Sequence, residues 1–130
     1  MQSEKLLPEH VSFEEAFAVF TQLGEVNLNT ATEAVTRIIK YCRENKIRGL
    51  LVDVTQATGL KIPTVTQKYW YTQEWAKASG RYVAIALVVP AAMIDPSGIG
   101  VTMASNAGLR SDVFDNRETA VEWLMRNLPK

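Results

Sequence analysis

Four short apolar runs alternate with longer amphipathic segments along this chain. The runs are AFAVFTQL at 16–23, IRGLLVDV at 47–54, YVAIALVV at 82–89 and LRSDVF at 109–114. Their length and residue types predict strands, and the second run is apolar enough for a strand covered on both faces. Residues 11–14 are expected to add a short strand, which would form an N-terminal hairpin with the first run.

The segments between these runs carry the periodicity and the end signals of helices. In the first segment, apolar residues recur at helical spacing from Ala34 to Cys42. Starts are predicted from capping residues and from proline in a first turn, and ends from left-handed glycine. The predicted starts are Thr30 with Glu33, Pro63, Asp95 with Pro96, and Asp115 with Glu118, and the predicted ends are Gly80 and Gly108.

This alternation of strands and helices predicts an α/β fold. A strand–helix repeat of this kind favours a mixed, mostly parallel sheet of four to five strands with about four helices. The length of 130 residues fits a single domain spanning residues 1–130. We expect residues 1–10 to form a loosely ordered N-terminal segment.

Composition excludes several function classes. The 14 basic and 14 acidic side chains cancel, so the chain lacks the basic surface that nucleic-acid binding requires. Cys42 is the only cysteine, and no ligand spacing for a metal is present, so we expect neither a metal site nor another cofactor. The longest apolar stretch, residues 82–94, is too short to span a membrane. With no secretory signal in the first ten residues, we expect a cytoplasmic protein.

The first candidate site follows the most apolar strand. Asp53 and Thr55 lie at its carboxyl end, and Thr58 and Gly59 come shortly after. In α/β sheets, ligands collect at the carboxyl ends of strands. Threonine, aspartate and glycine are also common turn residues, so a plain turn is the simpler interpretation from spacing alone.

A second candidate lies at DPSGIG, residues 95–100. Asp95 and Ser97 stand at a predicted helix start, where unpaired backbone amides can bind anions. The carboxylate of Asp95 would repel a phosphate, so capping of the helix is the better explanation. Hydrolysis through Ser97 is disfavoured, because His10 is the only histidine and lies far from these segments in sequence.

Aromatic residues crowd the predicted second helix. Tyr69, Trp70, Tyr71 and Trp75 cannot all face one core, since Tyr69 and Tyr71 point in different directions on a helix. Part of this helix is therefore expected to be exposed or covered by another subunit, and aromatic side chains are favoured in interfaces. We expect these four residues to serve the core and an interface, with a homodimer as the favoured assembly.

Several segments together resemble the STAS superfamily. They are LGEVNL at 23–28, LLVDVTQATGL at 50–60, VAIALVV at 83–89 and VFDNRETAVEWL at 113–124. The last segment is similar to the C-terminal signature of the SpoIIAA-like branch, also called the STAS/SEC14-like group. The matching residues are Phe114, Asp115, Ala120, Trp123 and Leu124. The resemblance covers most of residues 16–128.

This resemblance implies a regulatory or binding role and no catalysis. In anti-sigma factor antagonists, the corresponding loop carries an Asp-Ser-Ser-Gly motif whose serine is phosphorylated by a partner kinase. Thr58 precedes Gly59 and would take the place of that serine, whereas Gln56 and Ala57 replace the acid and the first serine. A phosphate at Thr58 would add nearly two negative charges to the loop that also carries Asp53.

Two hypotheses follow from the sequence. The first is a non-enzymatic regulatory or protein-interaction module, with an unidentified protein partner bound through the 53–61 loop and the following helix, under phosphorylation control. The second is a domain that binds a small ligand, a nucleotide or a lipid, at the strand ends near Asp53 and Asp95.

Overall fold

A computed structural model describes residues 10–130 of the chain. Most of the N-terminal segment that the sequence predicts to be loosely ordered, residues 1–9, lies outside the described residues. The strands are β1 (Val11–Phe13), β2 (Ala18–Thr21), β3 (Gly24–Glu25), β4 (Gly49–Asp53), β5 (Ala57–Thr58), β6 (Ala84–Val88) and β7 (Ser111–Phe114). The α-helices are α1 (Leu28–Glu44), α2 (Val65–Ser79), α3 (Ile99–Asn106) and α4 (Arg117–Asn127), and a 3-10 turn covers Ala91–Met93.

Five strands form the main sheet, in the order β1-β2-β4-β6-β7. β1 runs antiparallel to β2, as expected for the predicted hairpin, and the other neighbours pair in parallel. β4 occupies the centre, and all five of its residues are buried. The predicted mixed, mostly parallel α/β sheet with four helices is therefore confirmed for residues 10–130.

A second, two-stranded sheet continues beyond the carboxyl ends of β2 and β4. β3 pairs in parallel with β5, in the register Gly24 to Ala57 and Glu25 to Thr58. The segment after β4 is thus partly extended structure, where the sequence predicted a loop. The chain segments that follow the neighbouring strands β2 and β4 therefore remain adjacent beyond the end of the main sheet.

The helices cover both faces of the sheet unequally. α1, α2 and α3 pack on one face, where apolar side chains of these helices meet residues such as Phe20, Val52 and Ile85. α4 packs alone on the opposite face through Ala120 and Leu124. Because strand side chains alternate between faces, the central strands need apolar residues at consecutive positions, and this explains their continuous apolar runs.

The helix starts differ from the predicted ones by a few residues. α1 is capped by Asn27, whose side chain accepts a hydrogen bond from the backbone N–H of Thr30, so the predicted capping box at Thr30 is wrong. α2 is capped by Thr64, which forms a capping box with Gln67, and Pro63 precedes this box. An N-cap side chain with an acceptor oxygen satisfies a free backbone N–H of the first turn, which a proline side chain cannot do.

The starts of α3 and α4 also move. α3 is capped by Gly98 at a positive φ of 66°, and the carboxylate of Asp95 instead caps the turn before it. α4 is capped by Asn116, which accepts from the backbone N–H of Thr119, so Asp115 lies one residue before the cap. The predicted end of α2 is confirmed, because Gly80 takes the left-handed conformation at its C-cap.

Cys42 lies on the buried face of α1, in agreement with its helical spacing from the apolar residues before it. The side chain is fully buried between α1 and the sheet, in the larger of the two apolar clusters. Burial raises the pKa of the thiol to about 12, so Cys42 stays protonated at neutral pH. A neutral buried thiol is a poor nucleophile, and Cys42 therefore acts as a small core residue.

The packing of α4 on the sheet gives a direct stability test. Leu124 is completely buried, whereas its neighbour Met125 is 49% exposed. We expect Leu124→Ala to lower the free energy of unfolding by about 2–5 kcal/mol, because it leaves a cavity between α4 and the sheet. Met125→Ala should change it by less than about 0.5 kcal/mol. Urea unfolding measures both, and equal losses would contradict this assignment of the α4 faces.

Candidate functional site

The carboxyl ends of four strands form one row at the edge of the main sheet. Thr21 pairs with Asp53, Asp53 with Val88, and Val88 with Phe114. The chain after each strand leaves this row toward β3, β5, the 3-10 turn and α4. The sequence placed candidate residues at this edge, and the register puts Asp53 in its middle.

The carboxylate of Asp53 holds this edge together. Its Oδ1 accepts hydrogen bonds from the backbone N–H of Thr55, at 2.8 Å, and from the Thr55 hydroxyl, at 2.6 Å. Its Oδ2 accepts from Nε of Arg117 at 2.7 Å. Arg117 Nη2 in turn donates to the hydroxyl of Thr21 at 2.8 Å, so one guanidinium joins the ends of β2 and β4 to the start of α4.

These contacts keep Asp53 ionised. The side chain is almost fully buried, and this desolvation alone would raise the pKa. The hydrogen bonds from Thr55 and Arg117, with the charge of Arg117, outweigh burial and lower the pKa of Asp53 below its ordinary value. Asp53 is therefore a structural anion with its oxygens already bonded, and as a proton acceptor it has little remaining capacity.

Thr58 and Gly59 lie apart from this network. Thr58 is an exposed residue of β5, and its carbonyl accepts from the backbone N–H of Val26 at 2.9 Å. Gly59 has a φ of 85°, and a Cβ there would approach the carbonyl oxygen of Val26 to 3.1 Å. Glycine is needed to turn the chain at this point. The four loop candidates thus split into a hydrogen-bonded pair, the buried Asp53 with the exposed Thr55, and an exposed turn.

A cavity of about 200 Å³ lies between the three helices and the face of the sheet that they cover. Most of its lining is apolar and comes from α1, α2, α3 and the strands β4, β6 and β7. Residues of every one of these elements contribute, among them Val35, Val52, Trp75, Ile85 and Val101. The sequence did not predict this cavity.

The second candidate pair, Asp95 and Ser97, lies at one side of the cavity. Asp95 Oδ1 accepts from the backbone N–H of Ser97 at 2.9 Å, and Oδ2 accepts from Nζ of Lys68 at 3.0 Å. The Ser97 amide and the Lys68 ammonium lower the pKa of Asp95 to about 2. Lys68 and Asp95 line the cavity, whereas Ser97 is exposed beside them.

The aromatic cluster of α2 is divided between two environments. Tyr69 and Trp70 are exposed, at 56% and 40%. Trp75 is buried, and Tyr71 packs against it with ring centroids 4.8 Å apart. Both of the inner rings line the cavity. Burial raises the pKa of Tyr71, so its hydroxyl keeps its proton at neutral pH.

Two residues of these sites were absent from the sequence-based candidates. Arg117 is 64 positions from Asp53, and only the strand order brings the start of α4 to the end of β4. Lys68 had a usable signal, because it shares helical spacing with Thr72 and Trp75, both buried. A lysine on the buried face of a helix indicates a charge that needs a partner.

Within residues 10–130, no group of three or more histidine, cysteine, aspartate or glutamate side chains could hold a metal ion. Over the same part of the chain, no helix has the length and apolar character needed to cross a membrane.

The bonds of Asp53 predict a pH-dependent stability. We expect Asp53→Asn to lower the free energy of unfolding at pH 7 by about 2 kcal/mol, because hydrogen bonds to a buried charge are lost. The folded pKa lies below the unfolded value, so the unfolded chain binds the proton first on acidification. The stabilisation is therefore complete above the unfolded pKa and disappears as pH falls through the folded pKa.

Urea unfolding of both proteins at pH 7 and at acidic pH checks this expectation. The difference between wild type and Asp53→Asn should shrink on acidification. Asp115→Asn is the control, since Asp115 is an exposed carboxylate at the same edge, and at pH 7 it should cost less than about 0.5 kcal/mol. A difference between wild type and Asp53→Asn that stays constant with pH would contradict the ionised state of Asp53.

Comparison with known proteins bears on the fold. No family model matches the chain, and no curated protein matches its sequence. Among solved structures, the chain is similar to the crystal structure of an anti-sigma factor antagonist from Mycobacterium paratuberculosis. The TM-score is 0.59 at 14% sequence identity, and the likeness covers 88% of this chain and 91% of that chain. The predicted fold is confirmed: this chain has the STAS-like fold of that antagonist.

Proposed function

We propose that this chain is a non-enzymatic regulatory module that works by binding another protein. The observation that carries the proposal is an exposed apolar surface at the start of α2. It consists of Ile62, Val65, Tyr69 and Trp70, exposed by 59%, 55%, 56% and 40%, and we call it the α2 surface. Large apolar side chains grouped in this way on a protein surface mark interaction sites more often than single ones do.

The geometry of the α2 surface suits a protein partner. Val65 and Tyr69 are four residues apart on the helix, so their side chains are neighbours, and Ile62 lies just before the capping residue of α2. Tyrosine and tryptophan are the residue types that contribute most energy in protein interfaces. The surface also continues directly from the segment that carries Thr58 and Gly59.

Two further observations support a role in regulation. A solved structure with the same fold is described as an anti-sigma factor antagonist, and such an antagonist acts on another protein. The carboxylates of Asp53 and Asp95 are both engaged in ion pairs, and His10, the only histidine of the sequence, precedes β1. The two carboxylates serve structure, which is consistent with a module that acts by binding. We keep the cytoplasm as the expected location.

Substitution of the α2 surface tests this proposal. Tagged wild type, Tyr69→Asp, Ile62→Asp and Met125→Asp are used to capture partners from lysate of the native host, with identification by mass spectrometry. We expect Tyr69→Asp and Ile62→Asp each to reduce capture of the specific partner at least tenfold, because a charge is placed in an apolar contact. Met125→Asp should retain it.

Met125 is a matched control because it is also an exposed apolar residue, at 49%, on the opposite side of the sheet. Circular dichroism and thermal unfolding of each variant show whether the fold is intact. A partner captured equally by all four proteins, or lost only with Met125→Asp, would contradict binding through the α2 surface.

We propose phosphorylation of Thr58 as the control of this binding. Thr55 and Thr58 are both exposed, but the hydroxyl of Thr55 is bonded to Asp53, and Thr58 lies four residues before Ile62. A phosphate on Thr58 would add nearly two negative charges beside an apolar surface, and desolvating those charges on partner binding would be unfavourable.

Mass spectrometry of the protein purified from its host tests this control. Trypsin releases residues 49–61 as one peptide that contains Thr55 and Thr58. We expect a phosphate on Thr58 and none on Thr55, and Thr58→Glu should weaken capture of the partner relative to Thr58→Val. An unmodified peptide together with equal capture by both variants would exclude control by phosphorylation. The proposal that the partner binds through the α2 surface would be unaffected.

A second copy of this chain is the alternative occupant of the α2 surface. The four aromatic residues of α2 predicted a homodimer, and the two exposed ones, Tyr69 and Trp70, are available for it. Analytical ultracentrifugation of wild type and Tyr69→Asp distinguishes the cases. A wild-type dimer that Tyr69→Asp converts to a monomer would assign the surface to self-association.

A further inference from the structure

The cavity beneath the three helices is large enough for a small organic molecule. Its volume is about 200 Å³. Apolar cavities of about 150 Å³ in other proteins stay dry and accept benzene. By this comparison, the cavity has room for a molecule of roughly ten non-hydrogen atoms, about the size of two fused rings.

The lining selects an uncharged, mainly apolar occupant. Four charged side chains line the cavity, Lys61 and Lys68 against Asp95 and Asp112, so their charges cancel. The remaining lining is dominated by aliphatic side chains and by the rings of Tyr71 and Trp75. A nucleotide would bring phosphates into this neutral, apolar space, where no excess of cations compensates their charge.

Lys68 adds one polar feature to this lining. Its side chain is only 9% exposed, and among residues 10–130 its ammonium has a single hydrogen-bond acceptor, Oδ2 of Asp95. A lysine ammonium carries three N–H donors, so two donors remain. Buried charged donors are normally satisfied, and leaving them without an acceptor is unfavourable. An oxygen atom brought by a ligand can accept a hydrogen bond from one of these donors.

We propose that this cavity is a binding site for an uncharged, mainly apolar molecule of about ten non-hydrogen atoms that offers one oxygen acceptor to Lys68. The apolar body lies between α1, α2 and the sheet, in contact with Trp75. The oxygen accepts a hydrogen bond from Nζ of Lys68, which keeps its ion pair with Asp95. This site is independent of the α2 surface, whose residues point away from the cavity into solvent.

Three related probe molecules distinguish the apolar contact with the cavity from the hydrogen bond to Lys68. 2-Naphthol and naphthalene share one ring system and differ by a single oxygen, and 2-naphthoate adds a negative charge. Titration of the whole chain is followed by NMR at the indole N–H of Trp75, the tryptophan that lines the cavity. We expect the order of affinity to be 2-naphthol, then naphthalene, then 2-naphthoate. No shift of the Trp75 signal with any probe would overturn the proposal.

Removal of the ammonium tests the polar contact. Lys68→Met keeps the length and the helix propensity of the side chain, and Asp95 keeps its bond from Ser97. We expect Lys68→Met to weaken the binding of 2-naphthol at least tenfold. The affinity for naphthalene should change by no more than about twofold, because only the oxygen of 2-naphthol loses a hydrogen-bond donor. Lys77→Met is the control, since Lys77 lies on the same helix with its side chain 80% exposed. Equal effects of Lys68→Met on both probes would overturn the role of Lys68.

Filling the cavity tests the apolar contact. Ala31 and Val101 line it from α1 and α3, and we expect Ala31→Leu and Val101→Phe each to abolish binding of both 2-naphthol and naphthalene. Thermal unfolding shows which variants are folded, and using two positions guards against one that does not fold. Folded variants that still bind both probes would place the probes elsewhere and overturn the site.

Discussion

The structure depends on a carboxylate buried at the end of a fully buried strand. β4 has both faces covered, so the charge of Asp53 at its carboxyl end is removed from most of the surrounding water. Such a charge is tolerated only when several donors satisfy it. Thr55 supplies two donors from the next turn, and Arg117 supplies a third from the start of α4. The requirements of this one group therefore fix two segments relative to the central strand.

The same constraint shapes the segment that carries the functional candidates. Bonding of Thr55 to Asp53 turns the chain directly after β4, and Ala57 and Thr58 then pair with the extension of β2. Gly59 permits the next turn, because a side chain there would press on the backbone of Val26. The result is a chain that stays ordered at the sheet edge and delivers Ile62 and Val65 to the surface. A binding surface of this kind needs no rearrangement to be presented.

Sequence patterns predicted the elements well and their contacts less well. The alternation of apolar runs was enough to predict the sheet and its helices, because burial on both faces leaves a continuous apolar signature in β4 and β6. Helix starts were harder, since Asn27, Thr30, Asp95 and Gly98 are all acceptable near a start and the surrounding packing decides which one caps. Asp95 does not cap the helix, because its carboxylate accepts hydrogen bonds from Ser97 and Lys68 instead.

The candidate sites show the same limit more sharply. Asp53 was identifiable because it follows an apolar strand, but its partner Arg117 is distant in sequence and only the strand order joins them. The exposed and buried halves of the aromatic cluster follow helical spacing, which separates Tyr69 from Trp75. The cavity had no sequence signal as a volume, since unfilled space depends on how α1, α2 and α3 sit together. The only residue pattern that points to the cavity is Lys68, a lysine on the buried face of α2.

The cavity and the α2 surface share a short segment of chain. Leu60, Lys61 and Pro63 line the cavity, whereas Ile62 and Val65 are exposed beside them. The inner side of this segment completes the wall of the cavity, and its outer side presents two apolar residues to a partner. The segment is held on one side by the pairing of β3 with β5 and on the other by the capping box of α2. Because this order is already present in the chain, each site can bind without the other being occupied.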